Sequence, residues 1–352
     1  QIERVAEALK VIGIEQDRPV SIVLPNGLDF IVVFLAVVRA GAVAAPLNPA
    51  YTIDEFTFYM GDASSQFCIL PAGDHAARQA ARSMSIRTLD VTTSGSSQVE
   101  LKEADKTIKG SRDVEPPSSH QDALFLHTSG TTSRPKGVPL THANVMASLA
   151  NIRATYSLSP MDISMVVMPL FHVHGLIGAA LSTLNSGGCL VVPPRFSASS
   201  FWQVSKATRS TWYSAVPTIH QILLNRAESD EAPCGTFRFI RSCSAALAPS
   251  VLRQLEMRFN SPVLEAYGMT EASHQMSSNP MPPSDRIAGT VGTATGVQIA
   301  IMDDNGRLVP QGHTSEVVIK GPNLMLGYRD NPKANIEAFK NGWFSSTTTK
   351  YF

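Results

Sequence analysis

The sequence predicts an α/β protein in which helix-covered, mostly parallel sheets are followed by a small β-rich subdomain. Three observations lead there. Apolar runs of strand length alternate with helix-like segments along most of the chain, the rhythm of parallel strands covered by helices. After Gly289 the rhythm gives way to short strands around a tight turn. The 352 residues, 43% hydrophobic and 16% charged, are enough for one large domain or two to three subdomains with a sizeable core.

Taken in order, Gln1-Ile2-Glu3-Arg4 opens inside an amphipathic helix pattern with apolar Ile2, Val5, Leu9 and Ile12. That start predicts residues before Gln1, and its pattern is not that expected of a signal peptide. Val20 to Leu24 reads as a buried strand, Pro25-Asn26 as the break that starts a helix to about Arg39, and Ala42 to Leu47 as the next strand. Thr52 and Glu55 form a capping box for a further helix. Phe67 to Leu70 and Arg87 to Val91 are strands. Residues 92 to 121, rich in Ser, Lys and Pro, read as a surface excursion. Strands follow at Ala123 to His127, Ser164 to Met168, Cys189 to Val192, Thr211 to Val216, Phe237 to Ser242 and Pro262 to Tyr267. Val297 to Met302, the turn Asp303 to Gly306, and Glu316 to Lys320 read as strand, turn and strand.

Charge and composition exclude several classes. Lys+Arg and Asp+Glu both number 29, so no basic excess points to nucleic acid. The longest apolar run, Phe30 to Val38, is too short for a membrane span. None of Cys68, Cys189, Cys234 and Cys243 falls in a Cys-x-x-Cys pair, so four buried thiols in a reducing compartment are expected rather than a metal site or a disulfide framework.

The strongest chemical signal is Leu126 to Val138, which follows a strand and precedes a helix starting near His142. Thr128, Ser129, Gly130, Thr131 and Thr132 are five consecutive small residues that bring backbone N–H groups and hydroxyls together, a device for wrapping phosphate oxygens, and Lys136 adds a cation. Pro135-Lys136-Gly137 replaces the Gly-Lys-Ser/Thr of a Walker A loop. His172 and His174 flank Val173; no third ligand has suitable spacing, so metal ligation by this pair is not expected.

Thr128 to Gly137 resembles the phosphate-loop signature of the adenylate-forming superfamily, which includes acyl-CoA synthetases, luciferases and peptide-synthetase adenylation domains. Pro169 to Gly175, Arg241 to Pro249 and Glu265 to Glu271 resemble its acyl-pocket, adenine-loop and Tyr-Gly-x-Thr-Glu motifs, in the family's order; Gly321 to Tyr328 and Gly342 to Phe344 resemble later landmarks. The resemblance implies a large domain over residues 1–344, with α/β subdomains built on two helix-covered, mostly parallel sheets to about 288 and a β-rich subdomain over 289–344, then a divergent tail at 345–352. It implies attack of a carboxylate on the α-phosphate of ATP with loss of pyrophosphate, and CoA as the second co-substrate. Lys136, the loop hydroxyls and Mg²⁺ would neutralise the phosphates, with Glu271 as the hard oxygen ligand of the Mg²⁺. Thr270 would bond the α-phosphate. The nucleotide would lie against Ser244, Ala245 and Ala246 and against Glu265, Ala266, Tyr267, Gly268, Met269 and Thr270, with the Tyr267 ring stacked on adenine. One of the two histidines, taken as His174, would steer the carboxylate at the wall of the acyl pocket.

In wording, Phe125 to Leu140, Phe239 to Ala245 and Met269 to Pro280 are similar to the oxalate–CoA ligases of fungi and plants, whose fungal members are also described as peroxisomal CoA synthetases. The segments expected to form the acyl pocket offer His172, His174, Arg241, Ser242, Ser244, His274, Ser277 and Ser278, a polar set that suits a small diacid. A medium-chain fatty acid and a 4-coumarate-like acid are the rivals. The cytosol or the peroxisome is the compartment this resemblance implies.

The ending departs from the family. Thr348 stands where the family has an Asp that holds both ribose hydroxyls. Loss of such a charged contact costs about 1.5–3 kcal/mol. No hinge or small C-terminal domain with its catalytic Lys follows Phe352 in this sequence. Two expectations therefore stand side by side: the large domain of a carboxylate–CoA ligase, or a binding-only form without turnover.

Overall fold

A computed structural model of the chain describes residues 1–95, 97–110, 113–128, 135–227, 237–310 and 312–351. They divide into two compact units. One comprises Gln1–Ala143, Pro169–His172 and Val192–Arg195; the other comprises Asn144–Met168, Val173–Val191 and Phe196–Phe352.

The first unit carries helices α1 (Ile2–Val11), α2 (Leu28–Arg39), α3 (Ile53–Asp62) and α4 (Ala76–Ser83). Its strands are β1 (Pro19–Ile22), β2 (Val43–Pro46), β3 (Phe67–Pro71), β4 (Arg87–Thr93), β5 (Val99–Glu103), β6 (Lys106–Thr107), β7 (Asp122–Thr128) and β8 (Lys136–Thr141). They form one sheet in the order β6-β5-β4-β3-β1-β2-β7-β8. The inner strands from β4 to β7 run parallel, and both edges are antiparallel. The α3 cap forms as the sequence predicts: Glu55 N–H donates to Thr52 Oγ1 at 3.3 Å and Thr52 N–H donates to Glu55 Oε2 at 2.8 Å. In α2, five of the twelve residues are β-branched Val or Ile, yet a helix forms. Helix propensities differ by only about 0.7 kcal/mol per ordinary residue, whereas burying one large apolar side chain contributes about 1.5–3 kcal/mol. Phe30 to Phe34, Ala36 and Val37 are all buried, so packing decides.

The surface excursion expected over residues 92–121 is corrected. β5 pairs antiparallel with β4, and β6 pairs with β5. Val99 and Leu101 alternate with part-buried polar residues on β5, a two-residue period too short to stand out in a polar stretch.

The second unit begins within α5 (His142–Tyr156) and continues through β9 (Ile163–Met165), α6 (Val173–Gly175), a π-helical turn at Leu176–Leu181, α7 (Ser182–Asn185) and β10 (Cys189–Val191). Then come α8 (Phe201–Thr208), β11 (Trp212–Ala215), α9 (Pro217–Ala227), β12 (Phe239–Ser242), α10 (Pro249–Phe259), β13 (Val263–Met269), β14 (His274–Ser278) and β15 (Thr293–Ala294). The sheet order is β10-β9-β11-β12-β13-β14-β15. The strands from β10 to β13 are parallel, and β14 and β15 are antiparallel. Phe201, Trp202, Tyr213, Phe237 and Phe259 anchor the core on one side of it.

A third, antiparallel sheet holds β16 (Gln298–Met302), β17 (Leu308–Val309), β18 (Thr314–Lys320), β19 (Phe339–Lys340) and β20 (Trp343–Tyr351), in the order β17-β16-β18-β20-β19, with α11 (Pro332–Ala338) before β19. This is the β-rich region the sequence predicts. The turn at Asp303 leads into β17 rather than directly into the strand at 316–320, and its Asp303 carboxylate accepts from the N–H groups of Asn305 and Arg307. Residues 345–351 continue β20 against β18. The Thr348 side chain and Cys234 lie outside the described part of the chain. Cys68 and Cys243 are buried as expected, but Cys189 is exposed because β10 is an edge strand. Among the described residues, no helix is long and apolar enough to cross a membrane.

Candidate active site

In open parallel sheets, ligands bind beyond the carboxyl ends of the strands. In the second unit, β12 and β13 end in the segments that the sequence singled out. After β12 the chain turns sharply at Ser244, whose φ is +71°, and Ala245 and Ala246 follow before α10. Ser244, Ala245 and Ala246, with Glu265, Ala266, Tyr267 and Gly268 from β13, line one cavity of about 760 Å³. Seven predicted site residues thus meet there. Asn279, Pro280, Asp285, Ile287 and the run Gly289–Thr293, which sequence reasoning did not assign, line the same cavity.

Two backbone requirements shape this cavity. β13 shifts register against β14 between Tyr267 and Gly268. A Cβ on Gly268 would lie 1.9 Å from the His274 carbonyl oxygen, so the bulge needs glycine. Glu265 is 3% exposed, and its Oε1 accepts from the Leu247 N–H at 2.9 Å, tying β13 to the loop after β12.

Met269, Thr270 and Glu271 fall outside the lining of this cavity. Thr270 and Glu271 occupy a 3₁₀ turn and are buried. Glu271 Oε1 accepts from the Tyr328 hydroxyl at 2.8 Å, and its carbonyl accepts from the Met325 N–H. Burial, and then the nearby carboxylate, push the Tyr328 phenol well above its ordinary range, so it remains a donor. The other Glu271 oxygen has no hydrogen-bond partner among the described residues. One anchored, hard carboxylate fits an ion such as Mg²⁺, which binds through one or two carboxylates and keeps waters and phosphate oxygens. Among the described residues, no group of three or more His, Cys, Asp or Glu is placed to hold a metal.

Beneath Ser244 lies a buried polar network centred on Arg241, which is 0% exposed. Its Nε donates to the Tyr156 hydroxyl at 2.8 Å and its Nη1 to Ser214 Oγ at 3.0 Å. Its Nη2 donates to His274 Nε2 at 3.0 Å and to Gln275 Oε1 at 3.1 Å. None of these partners is a carboxylate. His174, also fully buried, bridges Ser214 Oγ at 2.7 Å through Nε2 and Ser244 Oγ at 2.9 Å through Nδ1. The rings of His174 and His274 stack at 5.3 Å. The π-helical turn makes room: a Cβ on Gly178 would sit 2.4 Å from the His274 ring. His274 itself has φ +91°, a conformation that non-glycine residues seldom adopt. The structure thus brings together His174, Ser244 and His274. Sequence reasoning missed Tyr156, Ser214 and Gln275, which nothing in their local pattern marks. Ser242 on β12 and Ser277 and Ser278 on β14 are buried. His172, in contrast, is exposed and belongs to the first unit.

The predicted phosphate loop belongs to the first unit. Ser129, Gly130, Thr131 and Thr132 lie outside the described residues. Thr128 ends β7 and pairs with Lys136, the first residue of β8. β7 and β8 thus pair antiparallel, and β8 intervenes before α5, a strand that the sequence does not predict ahead of that helix. The Pro139 within this segment sits in an edge strand, where a missing N–H is tolerated. A Cβ on Gly137 would meet the Phe125 ring at 2.5 Å, so β7 and β8 pack closely beside Lys136.

The family model described as AMP-binding enzyme matches residues 1–329. Among curated relatives, "Probable CoA ligase CCL9" of Humulus lupulus is 46% identical over 100% of this chain and 68% of its own length. "Oxalate--CoA ligase" of Arabidopsis thaliana is 45% identical over 100% of this chain and 70% of its own. Among solved structures, ATP-bound MatB from Rhodopseudomonas palustris superposes with a TM-score of 0.86 at 27% identity, over 99% of this chain and 69% of that one.

Proposed function

Because this chain belongs to the AMP-binding enzymes and is of acid–CoA ligase lineage, we propose that its acid is oxalate, activated by ATP to an acyl-adenylate on the way to a CoA thioester. An oxalate oxygen attacks the α-phosphorus; the bond to the β-phosphate breaks and pyrophosphate leaves. The thiol of CoA then displaces AMP from the acyl carbon. The nucleotide and the acid share the 760 Å³ cavity, with the adenine edged by Ser244, Ala245 and Ala246 and faced by Tyr267. Thr128, Ser129, Gly130, Thr131, Thr132 and Lys136 hold the phosphates, and Thr270 bonds the α-phosphate. Glu271 would hold Mg²⁺, which when bound neutralises phosphate charge. His174, Ser244 and His274 receive the acid.

The observation that carries the choice of acid is the buried Arg241 network. A fatty or aryl acid calls for an apolar tunnel. Here a fully buried guanidinium, with no carboxylate partner among the described residues, lies behind two stacked histidines and a serine. A buried positive charge without a counter-ion favours a nearby anion. The 45% identity to an oxalate–CoA ligase supports the same reading. The cytosol or the peroxisome is the compartment that goes with it. Oxalate-dependent exchange of labelled pyrophosphate into ATP tests it. Exchange with oxalate above a control without acid, and above octanoate and 4-coumarate, is expected. Exchange with one of those two acids and none with oxalate would overturn it. Nucleotide binding without exchange for any acid would favour the binding-only form.

A further inference from the structure

Arginine has five N–H donors and no acceptor, and that one-way chemistry gives the network around Arg241 a direction. Nη2 lies 3.0 Å from His274 Nε2. Only a bare ring nitrogen can receive that donor, so the His274 proton resides on Nδ1 and the ring is neutral. Nη1 lies 3.0 Å from Ser214 Oγ, whose other partner is His174 Nε2 at 2.7 Å. Ser214 is 1% exposed and has no further side-chain partner among the described residues. Its hydroxyl proton therefore goes to His174 Nε2, because the alternative leaves a buried O–H with no acceptor. His174 is then also neutral with its proton on Nδ1, and it donates to Ser244 Oγ at 2.9 Å. Ser244 accepts that bond and turns its own O–H into the cavity that it lines. The stacking of the two rings beside a buried guanidinium agrees: a second positive charge there would be disfavoured.

We infer that Arg241 is a positioning residue, which holds His174 and His274 as neutral tautomers protonated at Nδ1 and thereby makes Ser244 a hydrogen-bond donor toward an anionic ligand. The relay Arg241, Ser214, His174, Ser244 runs one way, from a group that cannot accept to one that faces the cavity. The inference rests on the reading above only for the identity of the anion.

Nitrogen-15 spectroscopy of the whole chain, labelled at its nine histidines and run without any acid, reads the tautomers directly. His174→Asn and His274→Asn assign the two rings by loss of their signals. For both residues the ring nitrogen coupled to both carbon-bound protons, Nε2, is expected at the downfield position of a bare nitrogen. A protonated Nε2, or an imidazolium at neutral pH, in either ring overturns the inference. Arg241→Gln, whose side chain can both accept and donate, is expected to shift His274 toward the Nε2-protonated form, and the donor-only Arg241→Lys to restore the original pattern. Unchanged tautomers in a folded Arg241→Gln protein would also overturn it. Because these spectra contain no acid, failure of oxalate in the exchange assay counts against oxalate and leaves the relay standing.

Discussion

Replacing Gly178 by alanine should weaken acid binding through His274. An added Cβ would stand 2.4 Å from His274 Cδ2 and Nε2. Carbon atoms pack best at about 3.5–4.0 Å, so the ring must retreat by about 1 Å. It has little room, since the residue is 1% exposed, stacks on His174 and is held by Arg241 at 3.0 Å. A shift of that size takes the Arg241 bond to about 4 Å, beyond hydrogen-bonding range. The loss is about 1.5–3 kcal/mol for a bond to a charged group, and overpacking adds about 1–3 kcal/mol. Alanine gains about 1 kcal/mol over glycine in helix propensity, which does not offset these losses. If the displacement is felt by the acid, its KM in pyrophosphate exchange rises about ten- to a hundredfold, with the KM for ATP unchanged. Gly27→Ala is the control, because a Cβ there meets nothing within 4 Å. An oxalate KM in Gly178→Ala equal to that of the parent, in a folded protein, would refute the argument.

Three further outcomes are expected. Glu265→Ala leaves the buried Leu247 N–H without its 2.9 Å acceptor and should destabilise the second unit by about 1–3 kcal/mol in denaturant titrations, while Glu265→Gln, which can still accept, should lose less. Burial lowers the His220 imidazole from 6.5 to about 4, so the folded chain holds it neutral while the unfolded chain charges it. Its contribution is complete above pH 6.5 and is lost as pH falls toward 4, at up to about 1.4 kcal/mol per pH unit, so a His220→Asn protein should show a shallower acid slope of unfolding free energy. Burial pushes the Cys68 thiol up to about 12, so a thiol reagent at pH 8 should label exposed Cys189 quickly and Cys68 only on unfolding, as peptide mapping would show.

The parts legible in the sequence were those whose cause is local. Thr52 and Glu55 announced the α3 cap because both bonds of the box lie within four residues. Ser244 to Ala246 and Glu265 to Gly268 could be read as cavity residues because contiguous motifs bring their members to one place. Strand β5 escaped notice because two buried side chains in a polar run make a weak period. Strand β8 escaped because Pro139 and the loop before it mask a short pairing segment. Cys189 was expected inside, and its place on an edge strand put it outside.

By itself the sequence determined the alternation of strands and helices, the caps and turns, and the motifs that identify an AMP-binding enzyme, since side-chain period, turn chemistry and motif wording are properties of neighbouring residues. Only the tertiary structure decided that Tyr156, His174, Ser214, Arg241, His274 and Gln275 share one buried network, with partners 27 to 85 residues apart bonded to the same guanidinium. The physical reason is that parallel strands reach their neighbours through crossovers. Which side chains then meet across β11, β12 and β14 depends on strand order, on a register shift at Gly268 and on the space left by Gly178, and none of these is encoded in a local pattern.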